Sequence, residues 1–392
     1  MRSPLRPLTR RGLLTGTLGS AALLATAGAL GGCGTKGAQQ TNCKSDDLSA
    51  TEKKLAFSNW PQYIDLDEKD ESKRPTIDDF IARTGIQVTY NEDINDNNEF
   101  FGKVQNQLAA CQPTGRDLMV LTDWMAARMV RLGWLQKLDK SKLPNVEANL
   151  LPTLRNVSFD SERQFSAPWQ SGLSSLAYNA KVTKEIRTVD ELLKRSDLKG
   201  KVTALSEMRD TMGLLLQSNG SDPSNFTTAQ FDDALAKLER AVNSGQIRKF
   251  TGNDYSQDLN KGDIAACICW SGDVIQLGFN NKDIKFVMPE SGAMLWSDNM
   301  LVPNKATHKA NAEKLINYYY EPAVAAKMAA YVNYMCPVKG AQAEMEKIDP
   351  DLAKNPLIFP DEDMLSKTKG FMALTEKQER EYEAKFQKVI GA

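Results

Sequence analysis

From Lys54 onward, short apolar runs alternate with longer stretches of helical period. The run Leu55-Ala56-Phe57-Ser58-Asn59-Trp60 stops at Pro61, and it predicts a first strand. A helix is expected from Thr76, with Ile77, Phe80 and Ile81 on one face and Gly85 as its stop, followed by a strand over Ile86 to Tyr90. The pattern repeats with a helix near Glu99 to Ala109, a strand over Asp117 to Leu121 and a helix over Asp123 to Leu132. Later come a strand over Ser175 to Asn179 and a helix over Thr228 to Asn243 that places Phe231, Leu235, Leu238 and Val242 together. Strands over Ile264 to Trp270 and Ile284 to Met288 follow, then two helices within Asn311 to Val332, parted at Pro322, and a charged C-terminal helix. Such alternation predicts parallel sheet in two α/β lobes.

The N-terminus does not share this pattern. Arg2, Arg6, Arg10 and Arg11 precede a weakly apolar run broken by Gly and Thr, and no acid occurs before Cys33. Residues 1–32 therefore form an expected export signal. Arg10-Arg11 ahead of Gly12-Leu13-Leu14 resembles a twin-arginine signal, and Leu30-Gly31-Gly32-Cys33 resembles the lipobox of bacterial lipoproteins. Cys33 is then the expected lipidation site, and 33–50, polar and without apolar period, a tether. The expected location is the outer face of the cytoplasmic membrane.

The whole chain has 392 residues and a formal net charge of −1, enough length for two or three cores. Balanced charge with no basic block sets nucleic acid aside. The one histidine, His308, excludes a multi-histidine metal site and removes most histidine-based triads. No metal or cofactor is called for. Beyond Cys33, the cysteines Cys43, Cys111, Cys267, Cys269 and Cys336 are odd in number, so at least one stays unpaired. Cys267 and Cys269 share a strand face, where packing is favoured over pairing; the connectivity is open.

Candidate chemistry gathers at predicted strand ends. Trp60 and Trp270 end strands, Trp124 follows one and Trp296 opens another. Asp123 adjoins Trp124, Asp273 lies three residues after Trp270, and Asp298 lies two after Trp296. Residues two apart on a strand face the same way, so Trp296 and Asp298 are expected to address one ligand. Strand ends are where open α/β sheets bind ligands. Carboxylates beside aromatic faces suit an organic cation, because a buried ammonium needs a charged partner and gains about 0.5–2 kcal/mol from each aromatic face.

Several segments carry a family resemblance: Asn59-Trp60-Pro61-Gln62-Tyr63, Thr84-Gly85-Ile86, Asp117-Leu118-Met119-Val120, Leu138-Asp139-Lys140-Ser141-Lys142-Leu143, Leu198-Lys199-Gly200-Lys201-Val202, Met294-Leu295-Trp296-Ser297-Asp298 and Lys314-Leu315-Ile316-Asn317. In this order, from Leu55 to the C-terminus, they resemble the spermidine/putrescine-binding group of bacterial extracellular solute-binding proteins. The resemblance implies a type II periplasmic-binding-protein fold, with hinge-joined α/β lobes over a ligand cleft. The expected lobes are 51–170 plus 297–335, and 171–296 plus 336–392. It also implies that Trp60, Tyr63, Thr122 and Trp124 line the cleft from the first lobe, and that Glu207 and Asp210 supply carboxylates from the second. Trp270 and Trp296 would stack on the ligand, Asp298 would take an amine and Tyr334 would close the cleft. Pro61 stands where members often carry a hydroxyl.

The implied role is capture of a polyamine, spermidine first and putrescine second, by a monomeric lipoprotein that delivers it to an ABC permease and its ATPase. Other readings are a binding protein for another organic cation or small solute, and a sensor subunit. A secreted hydrolase using Glu207 and Asp210 is disfavoured, since no nucleophile or oxyanion-donor motif accompanies them.

Overall fold

The structure, a computed structural model, describes Cys43 and residues 45–67, 69–70 and 72–391. The expected signal segment and Cys33 lie outside the described residues. Among the described residues, ten strands form one sheet: β1 (Lys54–Asn59), β2 (Gln87–Glu92), β3 (Leu118–Thr122), β4 (Ser166–Asn179), β5 (Val202–Leu205), β6 (Ile247–Thr251), β7 (Ala266–Trp270), β8 (Ile284–Val287), β9 (Ala293–Leu301) and β10 (Thr368–Lys369). The order is β2-β1-β3-β9-β4-β7-β5-β6, with β8 on β4 and β10 on β9.

The expected parallel pairing holds at the two flanks, where β1 pairs with β2 and β3, and β5 with β6 and β7. The centre is antiparallel: β9 lies between β3 and β4, and β4 also pairs with β7 and β8. This follows from how β4 and β9 travel. β4 starts among Ala167 and Trp169 of one core and ends at Leu176 and Ala177 of another; β9 returns from Met294 to Met300. A pair of strands crossing between two cores in opposite directions must be antiparallel. They join two α/β lobes, the arrangement that the expected type II periplasmic-binding-protein fold requires.

On one side, Leu55, Phe57, Leu118, Trp169 and Tyr319 share a core, with a satellite of Phe100, Met119, Leu121 and Met125 beneath the helix Asp123–Leu132. On the other, Leu176, Leu205, Leu215, Phe231, Ile268 and Tyr382 form the second core. The segment 336–392, expected to belong wholly to the second lobe, divides. Cys336, Val338, Met345 and Ile358 pack in the first core, whereas Leu374, Tyr382 and Phe386 pack in the second.

The tether also differs from expectation. Cys43 is bonded to Cys111, and Leu48 donates its backbone N–H to Thr307 at 2.7 Å. The Ser45 hydroxyl takes the Lys305 N–H at 2.7 Å, so at least Ser45 to Leu48 are docked rather than free. Cys267, Cys269 and Cys336 are buried free thiols.

Candidate functional site

Three strands run straight into helices at the line between the two cores. β3 is followed at once by the helix Asp123–Leu132, β7 by the helix Ser271–Asn280, and β5, after a short turn, by the helix Met208–Ser218. Each helix carries an aspartate in its first turn: Asp123, Asp273 and Asp210. The positive end of the helix dipole offsets part of the cost of burying such a carboxylate.

Asp298 comes from β9 and stands opposite Thr122 of β3 in the strand register. It is 6% exposed, and both of its oxygens are occupied by neutral donors. The Tyr63 hydroxyl donates to Oδ2 at 2.9 Å and the Thr122 hydroxyl donates to Oδ1 at 2.7 Å. Asn97 in turn donates to the Thr122 oxygen at 2.9 Å, which orients the hydroxyl toward Asp298. Burial pushes the Asp298 carboxyl up to about 7, against the lowering effect of these bonds. Among the described residues it has no ion pair.

A second carboxylate, half-buried, has partners of the same uncharged kind. Asp273 accepts from Tyr255 at 2.7 Å, from Asn253 at 3.1 Å and from Tyr334 at 3.1 Å, again all uncharged. Burial raises its pKa. The two carboxylates are joined by aromatic rings. Tyr63, bonded to Asp298, meets Tyr334, bonded to Asp273, edge to face at 5.8 Å. Trp296 packs against Tyr334 at 5.5 Å, and its ring lies over Gly172 so closely that a Cβ there would fall 2.4 Å from it. A third carboxylate, Asp210, accepts from the Trp270 indole at 2.8 Å and is likewise raised by burial.

The structure thus brings Tyr63, Thr122, Trp296, Asp298 and Tyr334 into one continuous contact network, with Trp270 and Asp210 joined through Tyr255, which accepts the Trp270 N–H at 2.9 Å. Trp60 stands at the margin, where its indole donates to the Val120 carbonyl at 3.0 Å and its ring packs on the first core. Trp124 and Glu207 are engaged differently: the Arg209 guanidinium lies over Trp124 at 3.8 Å and reaches Glu207 at 3.5 Å. A quarter of the Glu207 side chain remains open, and burial of the rest raises its pKa.

Asp273 was visible in the sequence only as an acid near Trp270, and its tyrosine partners come from distant segments. Arg209 and Tyr255 carried no signal beyond their identity. Asp123, equally suggestive in sequence, is occupied in holding β9: it accepts from the Ser297 N–H at 2.9 Å and the Asn299 amide at 2.8 Å.

Residues 76–360 match the family described as bacterial extracellular solute-binding protein. The chain is 30% identical over 343 residues to the putrescine-binding periplasmic protein PotF of Escherichia coli K12, covering 82% of this chain and 86% of that one. It is 24% identical over 315 residues to the spermidine/putrescine-binding periplasmic protein of Salmonella typhimurium, with 80% and 85% covered. Among solved structures it is similar to the spermidine/putrescine ABC transporter substrate-binding protein PotD of Streptococcus pneumoniae, at 25% identity and a TM-score of 0.72, covering 86% of this chain and 98% of that one. With the crossing strands and the carboxylates between two cores, these likenesses assign the chain to the bacterial extracellular solute-binding proteins, a family of transport proteins and not of enzymes.

Proposed function

We propose that this chain captures a polyamine, putrescine or spermidine, between its lobes and delivers it to an ABC permease. The observation that carries the reading is the pair Asp298 and Asp273. Asp298 is buried and Asp273 half-buried; each carboxylate is held only by uncharged donors, and the two are linked by the Tyr63–Tyr334 contact. Hydrogen bonds from hydroxyls orient a carboxylate without neutralising it, so each retains the capacity to take a cation. An alkyl chain between two ammonium groups matches this layout: charge at both ends and aromatic rings along the middle. The relatives named for polyamines support the ligand class.

Asp298→Asn is the direct test. Loss of one partner of a buried charge pair costs about 2–5 kcal/mol, which is roughly 30- to several-thousand-fold in affinity. Titration calorimetry is expected to show a loss in that range for putrescine and spermidine; an unchanged dissociation constant removes Asp298 from the site.

The reading includes an anchor. A tether ending in lipidated Cys33 would hold the body at the outer membrane face, where a permease is reached by diffusion in two dimensions. Cys33→Ala should move the protein from the membrane to the soluble fraction, and its retention on the membrane contradicts lipid anchoring through Cys33.

A further inference from the structure

The cation beside the candidate site is the protein's own. Arg209 follows the N-cap Glu207 of the helix Met208–Ser218, and its side chain is 6% exposed. The guanidinium lies over the Trp124 ring at 3.8 Å, bonds Glu379 and Glu383 at 2.8 Å each, and reaches Glu207 at 3.5 Å. An indole face with a carboxylate at its edge is the environment an organic ammonium requires. Here that environment is already filled by a cation that never loses its charge and that is fastened to the C-terminal helix Glu376–Ile390.

We infer that Arg209 is a specificity-determining residue: its guanidinium occupies the Trp124–Glu207 end of the cleft, so that the site binds a short diamine more tightly than longer tri- and tetraamines. The inference rests on the polyamine reading above. A diamine placed between Asp298 and Asp273 leaves Arg209 undisturbed. A longer chain extending toward Glu207 brings a further ammonium against the guanidinium, where like charges repel in a setting of reduced solvent screening. Moving Arg209 aside does not relieve this, because Glu383 would then lose a 2.8 Å partner and Glu379 one of its three arginines.

The test is calorimetric titration of the ligand-free protein and of Arg209→Gln with putrescine, spermidine and spermine, with thermal melts to establish folding. The unaltered protein is expected to bind putrescine at least tenfold more tightly than spermidine or spermine; equal or reversed preference overturns the inference whatever the variant does. In folded Arg209→Gln the spermidine-to-putrescine affinity ratio should rise at least tenfold, and an unchanged ratio overturns it. Adding Glu207→Gln to that variant should erase the gain, and a gain that survives refutes the assignment of Glu207 as the uncovered partner. If the unaltered protein binds no polyamine at all, the functional reading fails, a result distinct from failure of the role given to Arg209.

Discussion

At the scale of single residues, the site is governed by carboxylates whose neighbours orient them but leave their charge unmet. Asp298 shows the consequence most clearly, because burial lifts its pKa from an ordinary 3.8 to about 7. A folded carboxyl with a raised pKa keeps its proton at pH values where the unfolded chain has released it. The contribution of Asp298 to the stability of the unliganded protein is therefore lost as pH rises from about 4 to 7, and regained on acidification. Cation binding has the opposite dependence, since it needs the ionised form. Affinity should strengthen from pH 6 to 8, and binding near pH 7 should expel about half a proton from Asp298 alone. Calorimetry in two buffers of different ionisation enthalpy reads this directly; flat affinity across that range with no proton release contradicts it. The sequence made Asp298 legible because Trp296 two residues earlier announced a shared face. It could not show that Tyr63 and Thr122, some 235 and 176 positions away, would supply its hydrogen bonds. Glu207, expected to serve the ligand together with Asp210 and Asp298, has Arg209 as a competing cation in the structure.

Among the elements, legibility followed length and period. The helices Asp123–Leu132 and Thr228–Asn243 occupy the expected residues, because each keeps an apolar stripe and a clear stop. β4 begins at Ser166, well before the expected Ser175, because its middle, Gln170-Ser171-Gly172, is polar or small and carries no alternation. Those residues lie where the strand passes from one core to the other, and Gly172 leaves room for Trp296. β5 and β6, four and five residues long, gave no distinct signal. The C-terminal helix Glu376–Ile390 was expected as a charged helix, and Glu379 on it is only 6% exposed. It joins Arg209 to Arg128 and Arg131 of the helix Asp123–Leu132, at 2.8, 3.1 and 3.0 Å. One carboxylate thus ties helices from both cores. Glu379→Gln should leave these arginines short of a counter-charge and lower stability by about 2 kcal/mol or more, with a fall of several degrees in the melting temperature. A melt that superimposes on that of the parent protein shows the bridge to be energetically idle.

For the whole molecule, the two-lobed architecture was legible from the alternation of strands and helices together with the family resemblance. What escaped was the path of the chain after Cys336, which stays with the first core through Ile358 before it reaches the second. The cause is that short helices such as Ala341–Ile348 carry too few apolar positions to declare which core they serve. The Cys43–Cys111 bond was equally hidden, since spacing alone does not pair five cysteines. It fastens the start of the described chain to the segment after the helix Asn97–Ala109 and, with the contacts of Ser45 and Leu48, extends the folded body toward the N-terminus.

The central claim is that buried, uncompensated carboxylates between two lobes capture an organic polycation. Its most direct test is titration of ligand-free protein, refolded after removal of any carried-over solute, with putrescine, spermidine, spermine and a neutral sugar. The account predicts saturable binding of at least one polyamine at one site per chain and no heat from the sugar. Absence of binding to every polyamine, or tight binding of the sugar, contradicts it.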